Sequence, residues 1–267
     1  MKLTTAFSIL FDLFLALKVA TGPTLRSILA EPTLLLRPTA LSRLYMANIW
    51  EGGFANGTDE GARPVKTDLI TPNADGTVLD LGAGHGHSIR YFDRTKVTRY
   101  VAVEPNVLMH PFIREAAHSV GYHESDGSMV ILTCGAEDSA SILSALESQK
   151  VDTIISVLTL CTIPHPEKTV HNLVRDVLKS GGQFLFYEHV LSPRDDVAWW
   201  QRFWAPVWQI VFDGCRMDRP SHLFLDHLQV EHDGTMSTPW KEAQCWGKPE
   251  EPEEHLFWHQ VGRFVKK

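Results

Sequence analysis

From Thr77 onward the chain alternates short apolar runs with stretches of helical periodicity. That alternation restricts it to an α/β architecture built on a parallel sheet. The runs are TVLDLG (77–82), RYVAVE (99–104), MVILTCG (129–135), DTIISVLTL (152–160) and QFLFYEHV (183–190). Each is β-branched or aromatic and closes on turn residues. Helices are predicted between them at 88–95, 107–120, 140–149 and 167–178, the last stopped by Ser180-Gly181-Gly182. Parallel neighbours need crossovers, so helices cover both faces. After Leu191 a Trp-rich segment leads to two runs, 223–232 and 256–265, with no helix between them, which predicts an antiparallel edge at the C-terminus. With 267 residues, 44% of them hydrophobic and 21% charged, the chain can bury a full core, and wholesale disorder is excluded.

The segment Asp80-Leu81-Gly82-Ala83-Gly84-His85-Gly86 joins the first strand to the first helix. Glycines there permit a tight turn and a close approach of backbone to ligand. A bare βα turn would use them too. The added signal is Glu104, which ends the next strand 18 residues beyond Gly86 and can accept hydrogen bonds from both hydroxyls of a ribose. A pyrophosphate-binding fingerprint is G-x-G-x-x-G. The spacing here is Gly82-x-Gly84-x-Gly86, which argues against a nicotinamide oxidoreductase.

This loop, with Asp80 before it and Val103-Glu104-Pro105-Asn106 after the second strand, resembles motif I and its partner in the class I S-adenosylmethionine-dependent methyltransferases. The resemblance implies a Rossmann-like sheet, mostly parallel, and S-adenosyl-L-methionine as cofactor. It implies that Asp80, Gly82, Ala83, Gly84 and Gly86 cradle the methionine part, and that Glu104 and Pro105 hold the ribose. Ala136 and Glu137, with Asp138, would border the adenine; members often carry Asp or Asn where Gly135 stands. Leu158 and Thr159 would lie near the sulfonium. Further pieces recur in order: Leu158 to Ile163, Leu178 to Gly182, Glu188-His189-Val190 and Phe212-Asp213-Gly214-Cys215. Together they resemble methyltransferase-like proteins that methylate alkyl thiols and sit on internal membranes through an N-terminal apolar segment. The chain is also similar to compact fungal O-methyltransferases of polyketide pathways. The implied function is methyl transfer to a thiol or hydroxyl of a small lipophilic molecule, such as a polyketide-type secondary metabolite. The alternative is a cyclase or binding protein on the same fold without methyl transfer.

An alcohol acceptor needs a base, whereas a thiol with a pKa of about 8.5 needs little help. His189, at the C-terminal end of strand five, is the first candidate base, and Asp213 the second. Glu188 alternates to the opposite face from His189, so one of the two can face the site. His85 is expected to shape the methionine pocket. Cys161 and Cys215 lack a partnered base in sequence and read as small packing residues. The 13 histidines show no HExxH spacing and the four cysteines no CxxC, so no metal site and no disulfide framework are expected. Trp200, Trp204 and Trp208 share one helical face, as core or as an apolar wall for the acceptor, and Tyr45 and Trp50 are placed opposite them.

Residues 1–75 read as an N-terminal helical segment or lid, and 76–267 as the methyltransferase domain. Within the first part, Leu3 to Val19 is the most apolar stretch, but Asp12 and Lys18 interrupt it. A spanning helix needs about 20 largely uncharged residues, and a central charge costs roughly 2.5–3.5 kcal/mol. Phe7, Leu10, Phe11, Phe14 and Leu15 form one stripe. It either packs on the domain and covers the pocket, or lies in the plane of a membrane surface. Prolines should cut Pro23 to Pro38 into short helical pieces, Glu51 to Asp75 reads as a loop, and Glu250, Glu251, Glu253 and Glu254 as a solvated acidic patch. A net charge of −7 argues against nucleic acid as a partner. The expected location is cytoplasmic, with peripheral attachment to internal membranes as the variant that the apolar stripe allows.

Overall fold

A computed structural model describes residues 1–232 and 234–267, with His232 described by its backbone alone. Helices α1 (Leu3–Ala6), α2 (Ile9–Ala30), α3 (Pro38–Ile49) and α4 (Ala55–Asn73) come first. The alternating part then runs β1 (Gly76–Leu81), β2 (Val97–Val103), α5 (His110–Ser119), β3 (Met129–Leu132), α6 (Ser139–Ala145), β4 (Val151–Val157), α7 (Pro166–Asn172) and β5 (Leu178–His189). After it come α8 (Asp195–Val211), α9 (Ser221–Asp226), β6 (Val230–His232), β7 (Thr235–Ser237), β8 (Trp240–Gly247) and β9 (His259–Lys266). The main sheet has seven strands in the order β3-β2-β1-β4-β5-β9-β8. The first five are parallel, and β9 and β8 add antiparallel to β5. This is the Rossmann-like α/β sheet that the alternation predicts. The chain reverses its winding between β1 and β4, and in such sheets ligands bind at the carboxyl ends of the strands beside that point.

Three of the expectations about elements are corrected. The run 223–232 is not a long strand of the main sheet: it opens inside α9 and closes on the short β6, which pairs with β7 in a separate two-stranded sheet, and the edge strand is β8. Trp240 decides this, because its ring is buried and its Nε1 donates to the Leu225 carbonyl at 2.7 Å, seating α9 under the sheet. The region 51–75 is not a loop but contains α4, despite its Gly, Asn and Pro content. Ala62, Val65, Leu69 and Ile70 bury one face of α4 in the same core cluster as Val78, Tyr100 and Ile155 of the sheet, so tertiary burial overrides weak propensity. Segment 55–73 therefore shares the sheet's core. Likewise α2 continues through Pro23 and ends at Ala30, with α3 starting at Pro38.

The helix α2 has two apolar faces. Ile9, Leu13, Ala16 and Ala20 point inward to Trp208, Phe212 and Leu256. Phe7, Leu10, Phe11, Phe14 and Leu17 remain exposed. The predicted stripe is thus the outer face, and the packed face is rotated from it. Residues Leu3–Ala30 are long and apolar enough to cross a membrane by length and composition, and 28% of the most apolar stretch is buried.

Candidate active site

A cavity of about 660 Å³ opens at the carboxyl ends of β1, β2, β4 and β5, within the size range of small-molecule sites. Of the residues predicted to hold cofactor, Asp80, Gly82, Ala83, Gly84, Glu104, Pro105, Ala136, Glu137 and Leu158 all line it, as do His189 and Asp213. Gly86 stands apart. A Cβ there would lie 3.1 Å from the Ile113 Cα, so this glycine lets α5 approach the loop.

The loop backbone is left-handed at Gly82, Gly84 and Gly86, with φ of 58°, 56° and 73°. A Cβ on Gly82 would meet Thr159 Cγ2 at 2.5 Å. A Cβ on Gly84 would meet the Trp50 indole nitrogen at 3.1 Å, so Trp50 closes over the loop. Glu104 fixes the far side: its Oε2 accepts from the Gly84 N–H at 2.9 Å and its Oε1 from the Asn106 N–H at 2.8 Å. Burial raises the pKa of this carboxyl, opposed by those two N–H groups. Beneath the loop Asp80 is buried, accepting from the Tyr100 hydroxyl at 3.0 Å, and burial pushes its pKa up to about 7. Beyond β3, a Cβ on Gly135 would collide with the Glu137 carboxylate, so Glu137 fills the room that an Asp or Asn side chain at 135 would need.

Leu158, after β4, takes a left-handed φ of 55°, a strained choice for a branched residue, where its backbone passes the cavity. His189 is buried, with Nε2 at 3.3 Å from Cys215 Sγ and Nδ1 without a partner among the described residues. Glu188 faces the other way: its Oε1 accepts from Ser156 Oγ and from the Thr159 and Leu160 N–H groups, which ties β4 to β5. Asp213 accepts from Ser42 Oγ and so anchors α3 to the cavity wall. His85 stacks on Phe112 with centroids 4.0 Å apart, and burial lowers its pKa to about 4. Among the three tryptophans, Trp208 lines the cavity, whereas Trp204 donates to the Ala6 carbonyl and Trp200 meets Phe7 edge-on, both binding the N-terminal helices. Trp50 lines the cavity; Tyr45 packs beside α2.

Asp59, Lys66 and His259 also line the cavity, and no sequence spacing points to them. Asp59 and Lys66 form a buried ion pair on α4, joined by the Tyr91 hydroxyl at 3.0 Å from Asp59. Seven residues apart, they share a face only on a helix, which the Gly, Asn and Pro content of 51–75 does not signal. Glu251 is no part of a solvated patch: its side chain is 3% exposed, and it accepts from Nδ1 of His259 at 2.6 Å and lies 3.2 Å from Nδ1 of His255. Burial works against ionisation there, but the two imidazoles hold its pKa down at about 2. Burial lowers His259 to about 4, against the pull of Glu251. His259 stacks on Tyr187 with centroids 4.9 Å apart and lines the cavity.

Residues 59–237 match the family model of the methyltransferase domain. The chain therefore belongs to the class I, S-adenosylmethionine-dependent methyltransferase family. It is 29% identical over 164 residues to thiol S-methyltransferase TMT1B of Rattus norvegicus, covering 61% of this chain and 63% of that protein. It is 24% identical over 174 residues to thiol S-methyltransferase TMT1A of Homo sapiens, covering 62% and 66%. The matched stretch thus spans less than two thirds of these relatives. An O-methyltransferase family protein from Burkholderia thailandensis superposes with a TM-score of 0.55 at 10% identity, covering 85% of this chain and 60% of that one. The YcgJ protein of Bacillus subtilis gives a TM-score of 0.52 at 15% identity, covering 78% of this chain and 98% of that one. These structures share the fold.

Proposed function

We propose that the chain transfers a methyl group from S-adenosyl-L-methionine to the thiol of a small lipophilic molecule. The observation that carries this reading is one cavity with two chemically distinct ends. At one end stand the glycine loop, Glu104 and the Asp59–Lys66 pair. At the other stand Trp208, Phe212, Phe257, His189 and His259. The first end fits the cofactor: Gly82 and Gly84 line the cavity with bare backbone packed against Thr159 and the Trp50 indole, and the buried Glu104 carboxylate lines the wall beside them. Bound there, S-adenosylmethionine supplies an electrophilic methyl group on a sulfonium. Glu104 holds the ribose hydroxyls, and Ala136 and Glu137 border the base. The aromatic end excludes water and orients the acceptor, which is the larger part of what a protein adds to such a transfer. His259, oriented by Glu251 and neutral at pH 7, is placed to accept the acceptor's proton, with His189 beside it. The thiol S-methyltransferase relatives favour sulfur over oxygen as acceptor.

A mass-spectrometric screen with labelled cofactor tests the acceptor class. Alkanethiols should gain one methyl, with far weaker gain on phenols and hydroxypyrones. Methylation of phenols alone would replace this reading with an O-methyltransferase.

The outer face of α2 continues into α8 through Phe7, which meets Trp200 at 5.3 Å and Trp204 at 5.8 Å. Phe11, Phe14, Trp199, Phe203 and Ile210 are all exposed on these two helices. Such a patch suits peripheral contact with a bilayer. Flotation with phosphatidylcholine vesicles should recover the wild type with lipid, and the Phe11→Glu/Phe14→Glu variant should stay in the soluble fraction. Equal recovery of both would remove this face from membrane contact.

A further inference from the structure

Cys161, His189 and Cys215 come from three separate segments, after β4, at the end of β5 and after α8, yet their ligand atoms lie within 4.8 Å of one another. Cys215 Sγ is 3.4 Å from Cys161 Sγ and 3.3 Å from His189 Nε2. All three side chains are buried, and His189 and Cys215 line the cavity at its aromatic end. Two ligands at 2.3 Å from a tetrahedral ion sit about 3.8 Å apart, so a shift of a few tenths of an ångström would seat a cation among them. Trp208 Nε1 points its N–H at Cys215 Sγ from 3.3 Å, the donor geometry that stabilises a thiolate. No fourth Cys, His, Asp or Glu among the described residues joins the cluster. Structural zinc sites close with four protein ligands, whereas sites that act on a substrate keep three and leave one position open.

We propose that Cys161, Cys215 and His189 form a three-ligand site for a thiophilic divalent cation of the zinc type, whose open position faces the cavity and takes the sulfur of the acceptor. The two cysteines bind as thiolates and neutralise the dication, each releasing its proton to solvent as the metal enters. The acceptor binds in the same way: a metal–sulfur bond forms, the S–H bond breaks, and the proton passes to His259, which lines the same end of the cavity and is not a ligand. Sulfur rather than oxygen is the preferred donor for such an ion in a buried, soft ligand set. The part concerning the acceptor rests on the thiol reading above; the metal site itself does not.

The test is a cobalt titration of the full-length chain, reduced and stripped with chelator, with Co²⁺ as the probe. The wild type should develop tetrahedral cobalt bands and a sulfur-to-cobalt charge-transfer band that saturate at one equivalent. Cys161→Ser and Cys215→Ser should lose the charge-transfer intensity while still binding S-adenosylhomocysteine in calorimetry, which shows that they are folded. Adding an alkanethiol to the cobalt-loaded wild type should shift the bands, and an alkanol should not. Folded, reduced wild type without cobalt bands, or bands unchanged in both serine variants, overturns the site. Bands indifferent to alkanethiol overturn its role in holding the acceptor. Thiol methylation at full rate by the stripped protein would do the same, and would leave the thiol reading intact. Intact cobalt bands with no thiol methylated would sink the thiol reading and leave the metal site standing.

Discussion

Replacing Glu104 with alanine should weaken binding of S-adenosylmethionine by about 10²–10⁴-fold in calorimetry. The carboxylate is buried, and its two oxygens are already held by the Gly84 and Asn106 N–H groups, so it presents its remaining lone pairs in a fixed direction. Two hydroxyl hydrogen bonds to a charged acceptor contribute about 1.5–3 kcal/mol each, and both vanish with the side chain. The loss also frees two backbone N–H groups that now define the loop, so a Glu104→Gln variant separates the effects. It keeps an acceptor oxygen and should fall between wild type and alanine. Affinity of the alanine variant within a few-fold of wild type would take Glu104 out of the ribose site.

Asp80→Asn should change how stability depends on pH. Burial raises the Asp80 pKa to about 7, against the Tyr100 hydrogen bond and the nearby Lys66 charge, which both pull it down. The unfolded chain ionises this residue at the ordinary aspartate pKa of 3.8. Between those two values the folded protein holds a proton that the unfolded chain has released. The contribution is therefore fully present below about pH 4 and is lost as pH rises toward 7. Over that window the carboxyl costs the fold on the order of 4 kcal/mol, a cost the amide cannot incur. Urea unfolding at a series of pH values should show Asp80→Asn gaining on the wild type by that amount between pH 4 and pH 8. A constant difference would mean that Asp80 ionises in the fold as freely as in the open chain.

What could be read from the residues divides along physical lines. The sheet was legible because its strands are short apolar runs flanked by glycines whose left-handed turns no other residue adopts easily, as at Gly82 and Gly84. Glu104 and Glu137 were legible because they sit at fixed offsets from those runs. The helix α4 was not, since its Gly, Asn and Pro content signals a loop and its stability comes from contacts with Tyr91 and the sheet. Glu251 looked like one acid among four, and nothing local tells that it folds inward between two histidines. Nor does any spacing announce that Cys161, His189 and Cys215 converge, because the crossovers between them span dozens of residues.

The indole of Trp50 stands over Gly84, the Arg43 carbonyl accepts from the Asn106 side chain at 2.9 Å, and Ser42 holds Asp213. The N-terminal helices are thus stapled to both ends of the chamber. Trimming them away to make a better-behaved preparation would leave both ends of the cavity unroofed, and an inert truncated protein would report a missing ceiling, not a dead catalytic group.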